Sequence, residues 1–138
     1  MILKLSRSTI NDPKFLDAMK KLRENCETLP NIAKYRIGSI SQAIYLEMLK
    51  AQADAKDLLK SFAMKDEKGE ILGYPDPTKI KFESTYLENK HDEAFKKMLK
   101  LAFRINSQPI TLNSIESLQL TTDELVALTP VLSDRSGI

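Results

Sequence analysis

One cysteine, one histidine, no tryptophan and four glycines are all that 138 residues contain of these types, and each scarcity closes off some chemistry. Cys26 alone can form neither an intrachain disulfide nor a multi-cysteine metal site, and it points to a reducing compartment. A single histidine, His91, removes most zinc centres and most histidine-based catalytic arrangements. The glycines do not cluster, so there is no glycine-rich phosphate loop, and a nucleophile elbow is also missing. No apolar run approaches the roughly 18 residues that a membrane span needs. The opening Met1-Ile2-Leu3-Lys4-Leu5 is charged too soon for a signal peptide. These absences argue against an enzyme, a cofactor, a metal site and a membrane partner.

What is present describes a globular protein. Hydrophobic residues make up 42% and charged residues 29%, a soluble composition, and this length suits a single domain, 1–138, that buries roughly two thirds of the unfolded chain's surface. Twenty-one basic and nineteen acidic side chains nearly cancel. Their distribution is uneven: residues 1–105 hold 20 basic and 15 acidic groups, and residues 106–138 hold 1 and 4.

Alternation over residues 1–6 predicts a short strand. Asp12-Pro13 supplies a cap and a first helical residue for a helix over 13–27, with Leu16, Met19, Leu22 and Cys26 on its apolar stripe. The strongest periodic signal follows. Ile37, Ile40, Ile44, Met48, Ala51, Ala55, Leu58 and Phe62 advance by threes and fours, which predicts a helix over 30–64, about 50 Å long. Asp66-Glu67-Lys68-Gly69 closes it. Residues 70–83 are expected to form a loop or hairpin, with short strands at Ile71-Leu72 and Ile80–Phe82 flanking a projecting Pro75–Pro77 loop. A third helix over 86–103 starts near a capping box at Thr85–Glu88, with Leu87, His91, Phe95, Met98 and Ala102 on one face. Strands within 108–120, a capped helix over 122–129 and a tail over 133–138 complete the chain.

The fold class expected is α+β: a long antiparallel helical hairpin plus a third helix, packed beside a small sheet of N- and C-terminal strands. The N-terminal strand is expected to join strands within 108–120. The first helix is about half as long as the second, so it covers only the first half of the long seam. If the third helix folds back, Ala51, Ala55, Leu58 and Phe62 are core. If it packs on the sheet instead, these four residues form an interaction seam for a partner or a second subunit.

Candidate chemistry is sparse. Glu88, His91 and Asp92 share a helix face at metal-ligand spacing, but capping and dipole complementarity explain carboxylates near a helix start, and His91 falls on the apolar stripe. Glu47 and Asp76 are nominal partners for carboxylate-pair hydrolysis. Cys26 is expected to be a buried thiol. Lys90, Lys97, Lys100 and Arg104, spread over about 80° of the third helix, form a basic contact face that could meet phosphates or an acidic partner.

The order of elements carries a resemblance. It runs through Glu27-Thr28-Leu29-Pro30, then Tyr35-Arg36-Ile37 and Glu47 to Lys65-Asp66-Glu67-Lys68-Gly69, and closes with Leu120-Thr121-Thr122-Asp123-Glu124-Leu125-Val126-Ala127-Leu128-Thr129-Pro130. The chain resembles, over nearly its whole length, a family of small tailed-bacteriophage proteins known as a domain of unknown function. The Pro75–Pro77 loop departs from that likeness. The resemblance implies a phage protein in the bacterial host's cytoplasm or in the virion, and brings no catalytic residues with it. The function expected is non-enzymatic: a structural, assembly or adaptor protein working through protein contacts or self-association. The alternative is a small regulator that binds host machinery or nucleic acid through the basic helix face.

Overall fold

The computed structural model describes residues 2–133. The fold is mixed helix and strand, α+β in class. Contacts gather it into two compact units: one takes the chain as far as Met48 and resumes at Ala102, and the other spans Leu49–Leu101.

The first unit opens with β1 (Leu3–Ser6), whose burial alternates as the sequence does. A four-residue helix, α1 (Arg7–Ile10), follows at once, capped by Ser6 Oγ, which accepts from the Thr9 amide at 3.3 Å. Sequence periodicity missed this turn because it is too short to display a stripe. Helix α2 (Pro13–Glu24) starts as expected, with Asp12 Oδ1 accepting from the Lys14 amide at 3.0 Å and Pro13 in first position. It stops three residues early, and Cys26–Thr28 tightens into a 3₁₀ turn. Helix α3 (Asn31–Phe62) matches the long helix closely and gives this unit Ala33, Ile37, Ile40 and Ile44, all buried.

The sheet differs from expectation. The third helix was expected to run as far as Phe103, yet residues Ala102–Ile105 form β2, antiparallel to β1. The register pairs Leu3 with Ile105 and Leu5 with Phe103, so apolar cross-strand pairs face the core. That burial overrides helix propensity in a segment with no glycine or proline to mark a stop. The N-terminal strand therefore joins 102–105, not 108–120. The same register sets Lys4 opposite Arg104, both exposed.

Within 108–120 only β3 (Ile110–Thr111) is extended, and it pairs in parallel with β4 (Leu132–Ser133). Leu112–Leu118 is 3₁₀ helix rather than a strand-turn-strand. Leu112, Ile115 and Leu118 recur every three residues, which is the 3₁₀ period, and Ile115 is buried. Helix α5 (Thr122–Ala127) has the capping box expected of it. Thr121 Oγ1 accepts from the Glu124 amide at 3.1 Å, and Glu124 Oε1 accepts from the Thr121 amide at 2.9 Å. Lys21 Nζ reaches the same carboxylate at 2.9 Å, tying α2 to α5. The Thr121 amide first, and then Lys21, holds the Glu124 carboxyl below its ordinary value. A 3₁₀ turn at Thr129–Val131 takes the place of that helix's last residues, and of the expected tail only Ser133 lies within the described residues.

Arg7 and Glu47 form a buried ion pair in this unit. Arg7 Nε donates to Glu47 Oε2 at 2.8 Å, and both side chains are almost wholly covered. Glu47 takes a core-facing position of α3 that an aliphatic residue would otherwise fill.

The second unit contains the end of α3 and α4 (Thr85–Leu99). Ser84 caps α4, accepting from the Leu87 amide at 3.2 Å, so the helix starts one residue before the expected capping box could act. It ends at Leu99, four residues short of Phe103. Between the helices, Asp66 Oδ1 accepts from the amides of Lys68 and Glu70 at 2.8 and 3.0 Å, and Gly69 turns the chain at φ +80°. Instead of two strands there is a single bridge, Lys65 with Ile71. In the proline segment Pro75 and Pro77 are exposed, while Tyr74 lies under the Lys56 ammonium, 5.2 Å from ring centre, and Pro77 lines a groove with Ala55 and Leu59. The Tyr74–Pro75 peptide is cis. Gly73 sits at φ +82°, where a Cβ would lie 2.6 Å from the Lys79 carbonyl carbon, so no other residue fits there. Asp76 Oδ1 accepts from the Thr78 hydroxyl at 2.7 Å and the Thr78 amide at 3.0 Å, which lowers its carboxyl pKa.

Two outcomes follow for stability in urea. Glu47→Ala costs about 3 kcal/mol, because it removes one half of a buried pair. Replacing both members, Arg7→Met with Glu47→Leu, returns most of that loss. An effect of Glu47→Ala within about 0.5 kcal/mol, the range of a surface change, contradicts the assignment. Lys4→Glu turns a like-charged cross-strand pair into an attractive one and raises stability by roughly 0.5 kcal/mol. Adding Arg104→Glu makes the pair repulsive again and cancels the gain.

Candidate functional site

Helix α3 carries apolar residues on two sides. On the first, Ala33, Ile37, Ile40, Ile44 and Glu47 fall within about 80° and are buried. On the other, Ile32, Tyr35, Ser39, Gln42, Leu46 and Leu49 advance by three and four and fall within about 100°. Four of these six are large and hydrophobic, and they are open to solvent: Ile32 is 60% exposed, Tyr35 74%, Leu46 48% and Leu49 44%. Tyr45, also exposed, borders the stripe. No charged side chain interrupts it, and Gly38 on its edge has nothing within 4 Å of where a Cβ would be. Such a stripe is far more apolar than the outer face of a surface helix needs to be. It is the candidate functional site.

This face was legible but overlooked. Its 3-4 spacing is as regular as that of the isoleucine seam, and the stronger seam on the same helix masked it. The four residues expected as an interaction seam are placed differently. Ala51, Ala55, Leu58 and Phe62 are half-buried within the second unit, where the Phe62 ring meets His91 edge-on at 6.4 Å. Residues of α4 and of the proline segment thus occupy part of that seam, and it is neither bare nor sealed core.

His91 sits among aromatic rings. Phe82 lies 5.2 Å away, tilted, and Phe95 6.0 Å away, stacked. Its Nδ1 is 3.2 Å from Asp92 Oδ1 on the same helix. Glu88, His91 and Asp92 all line one open groove of about 280 Å³. Even so, among the described residues no three His, Cys, Asp or Glu side chains gather where they could hold a metal ion. The imidazole is a packing element between phenylalanines, as its place on the apolar stripe implied.

The basic contact face is shorter than expected. Lys90 and Lys97 lie on α4 and Lys100 caps it, all exposed. Arg104 belongs to β2 and faces Lys4 across the strands, so it does not extend a helical stripe. Lys90 also leans over the Tyr86 ring, 5.5 Å from its centre. Cys26 is half-buried, its thiol donating to the Arg23 carbonyl at 3.3 Å. The two carboxylates nominated for hydrolysis are each engaged, Glu47 by Arg7 and Asp76 by Thr78.

No family model, curated protein or solved structure matches this chain. No helix among the described residues is long and apolar enough to cross a membrane. The functional reading therefore rests on surface chemistry, and the outer face of α3 is its most distinctive surface.

Proposed function

We propose that this is a non-enzymatic bacteriophage protein, structural or assembly-related, that works by protein contact through the outer face of α3. Helix α2 and the first half of α3 act as a long antiparallel hairpin in this reading, with the hairpin's own seam inward and the second stripe outward. The observation that carries the proposal is the exposure of Ile32, Tyr35 and Leu46 on one uncharged face. Burying a leucine-sized side chain is worth roughly 1.5–3 kcal/mol, so covering this face supplies ample driving force for association. The resemblance to small tailed-phage proteins supplies the setting, in host cytoplasm or virion. Nucleic-acid binding is the weaker reading, since Lys90, Lys97 and Lys100 remain without Arg104 to lengthen their stripe and phosphate contacts gain affinity by number.

A photo-cross-linking amino acid placed at Tyr35, and separately at the similarly exposed Tyr86, tests the reading in the producing or infected cell. Irradiation is expected to yield a heavier protein adduct from position 35 and none from position 86. No adduct from position 35, or an adduct to nucleic acid alone, overturns the proposal.

A further inference from the structure

We infer that the occupant of the outer α3 face is a second copy of this chain, laid parallel and in register about a two-fold axis. The inference rests on the contact function proposed above and identifies its partner. Written as a heptad, the stripe places Ile32, Ser39 and Leu46 at one core position and Tyr35, Gln42 and Leu49 at the other. From Ile32 to Leu49 it runs about 25 Å along the helix. Polar Ser39 and Gln42 occupy the middle, with apolar pairs at either end. A second copy in register sets polar against polar and apolar against apolar. A slip of one heptad forces Ser39 against Leu46 and leaves Gln42 facing Leu49, each burying polar groups without partners.

Charge selects the direction. One edge of the stripe holds Arg36, Ala43 and Lys50, and the other holds Asn31, Gly38 and Tyr45. The Arg36 guanidinium donates to Gln108 Oε1 at 3.0 Å and to the Pro109 carbonyl at 3.2 Å, both neutral, so its charge is uncompensated by these bonds. Antiparallel copies bring basic edge to basic edge. Parallel copies bring each basic edge to the other copy's neutral edge: Arg36 beside Asn31, Ala43 beside Gly38, and Lys50 beside Tyr45, where an ammonium can lie over the ring. Gly38 and Ala43 are the two smallest side chains on the edges, and facing each other they let the helices approach closely. The face is thus complementary to itself in one orientation, which is what an isologous interface requires.

Sedimentation equilibrium of the full chain tests the inference, together with one cysteine variant. A monomer–dimer equilibrium is expected, and Leu46→Asp, at an exposed position that leaves the circular dichroism unchanged, weakens it by at least about a hundredfold. In a Cys26→Ser background, Ile32→Cys is expected to give a disulfide-linked dimer under mild oxidation. Parallel registry puts the two positions side by side, whereas antiparallel pairing holds them about 25 Å apart. A dimer without that cross-link, or a dimer indifferent to Leu46→Asp, overturns the inference. So does a protein that stays monomeric at every concentration. If it is monomeric while Tyr35 cross-links a different protein in the cell, the contact function stands and the second copy does not. If Tyr35 also captures nothing, both fail.

Discussion

A helix with apolar stripes on opposite sides cannot satisfy both against one core, and α3 is such a helix. Its isoleucines at 37, 40 and 44 are consumed by the first unit's interior. Ile32, Tyr35 and Leu46 are left facing water. Everything functional in this account follows from that surplus. Because the inner stripe is anchored, the helix cannot rotate to hide the outer one. The outer stripe is therefore either a standing cost in solubility or a surface that something covers.

The anchoring is itself unusual, for it includes a charge. Glu47 takes a core-facing position and is paired with Arg7 from the turn after β1. Such a pair contributes little net stability compared with well-packed hydrophobic residues. It does make one rotation of α3 about its own axis much cheaper than any other, because a turned helix buries an unpaired carboxylate. We see the pair as a device that fixes which stripe faces in and which faces out.

Much of the fold was legible because local chemistry and burial agreed. Asp12-Pro13 and Thr121–Glu124 are caps whose side chains had one useful partner each, and both formed as expected. The length of α3 was plain from its isoleucine spacing. Misreadings arose where distant residues decided the outcome. Ala102–Ile105 continues a helical pattern locally, and only pairing with Leu3 and Leu5, a hundred residues earlier, makes it a strand. Likewise β3 is two residues long and exists because Leu132 and Ser133 lie beside it. Leu112, Ile115 and Leu118 carried a three-residue period that fits neither strand nor α-helix. The candidate site failed to emerge for a different reason. Its spacing is visible beside the more strongly apolar isoleucine seam, and which of two stripes is covered is settled by tertiary packing.

Fluorine NMR of the full chain with 3-fluorotyrosine at its four tyrosines, assigned by single Tyr→Phe changes, reports whether the outer face of α3 becomes covered. Tyr35 lies on the outer stripe and Tyr45 on its edge, while Tyr74 and Tyr86 belong to the second unit. As protein concentration rises, the Tyr35 and Tyr45 resonances should shift or broaden together while those of Tyr74 and Tyr86 hold still. Four resonances that stay put, or movement confined to Tyr74 and Tyr86, would contradict the account.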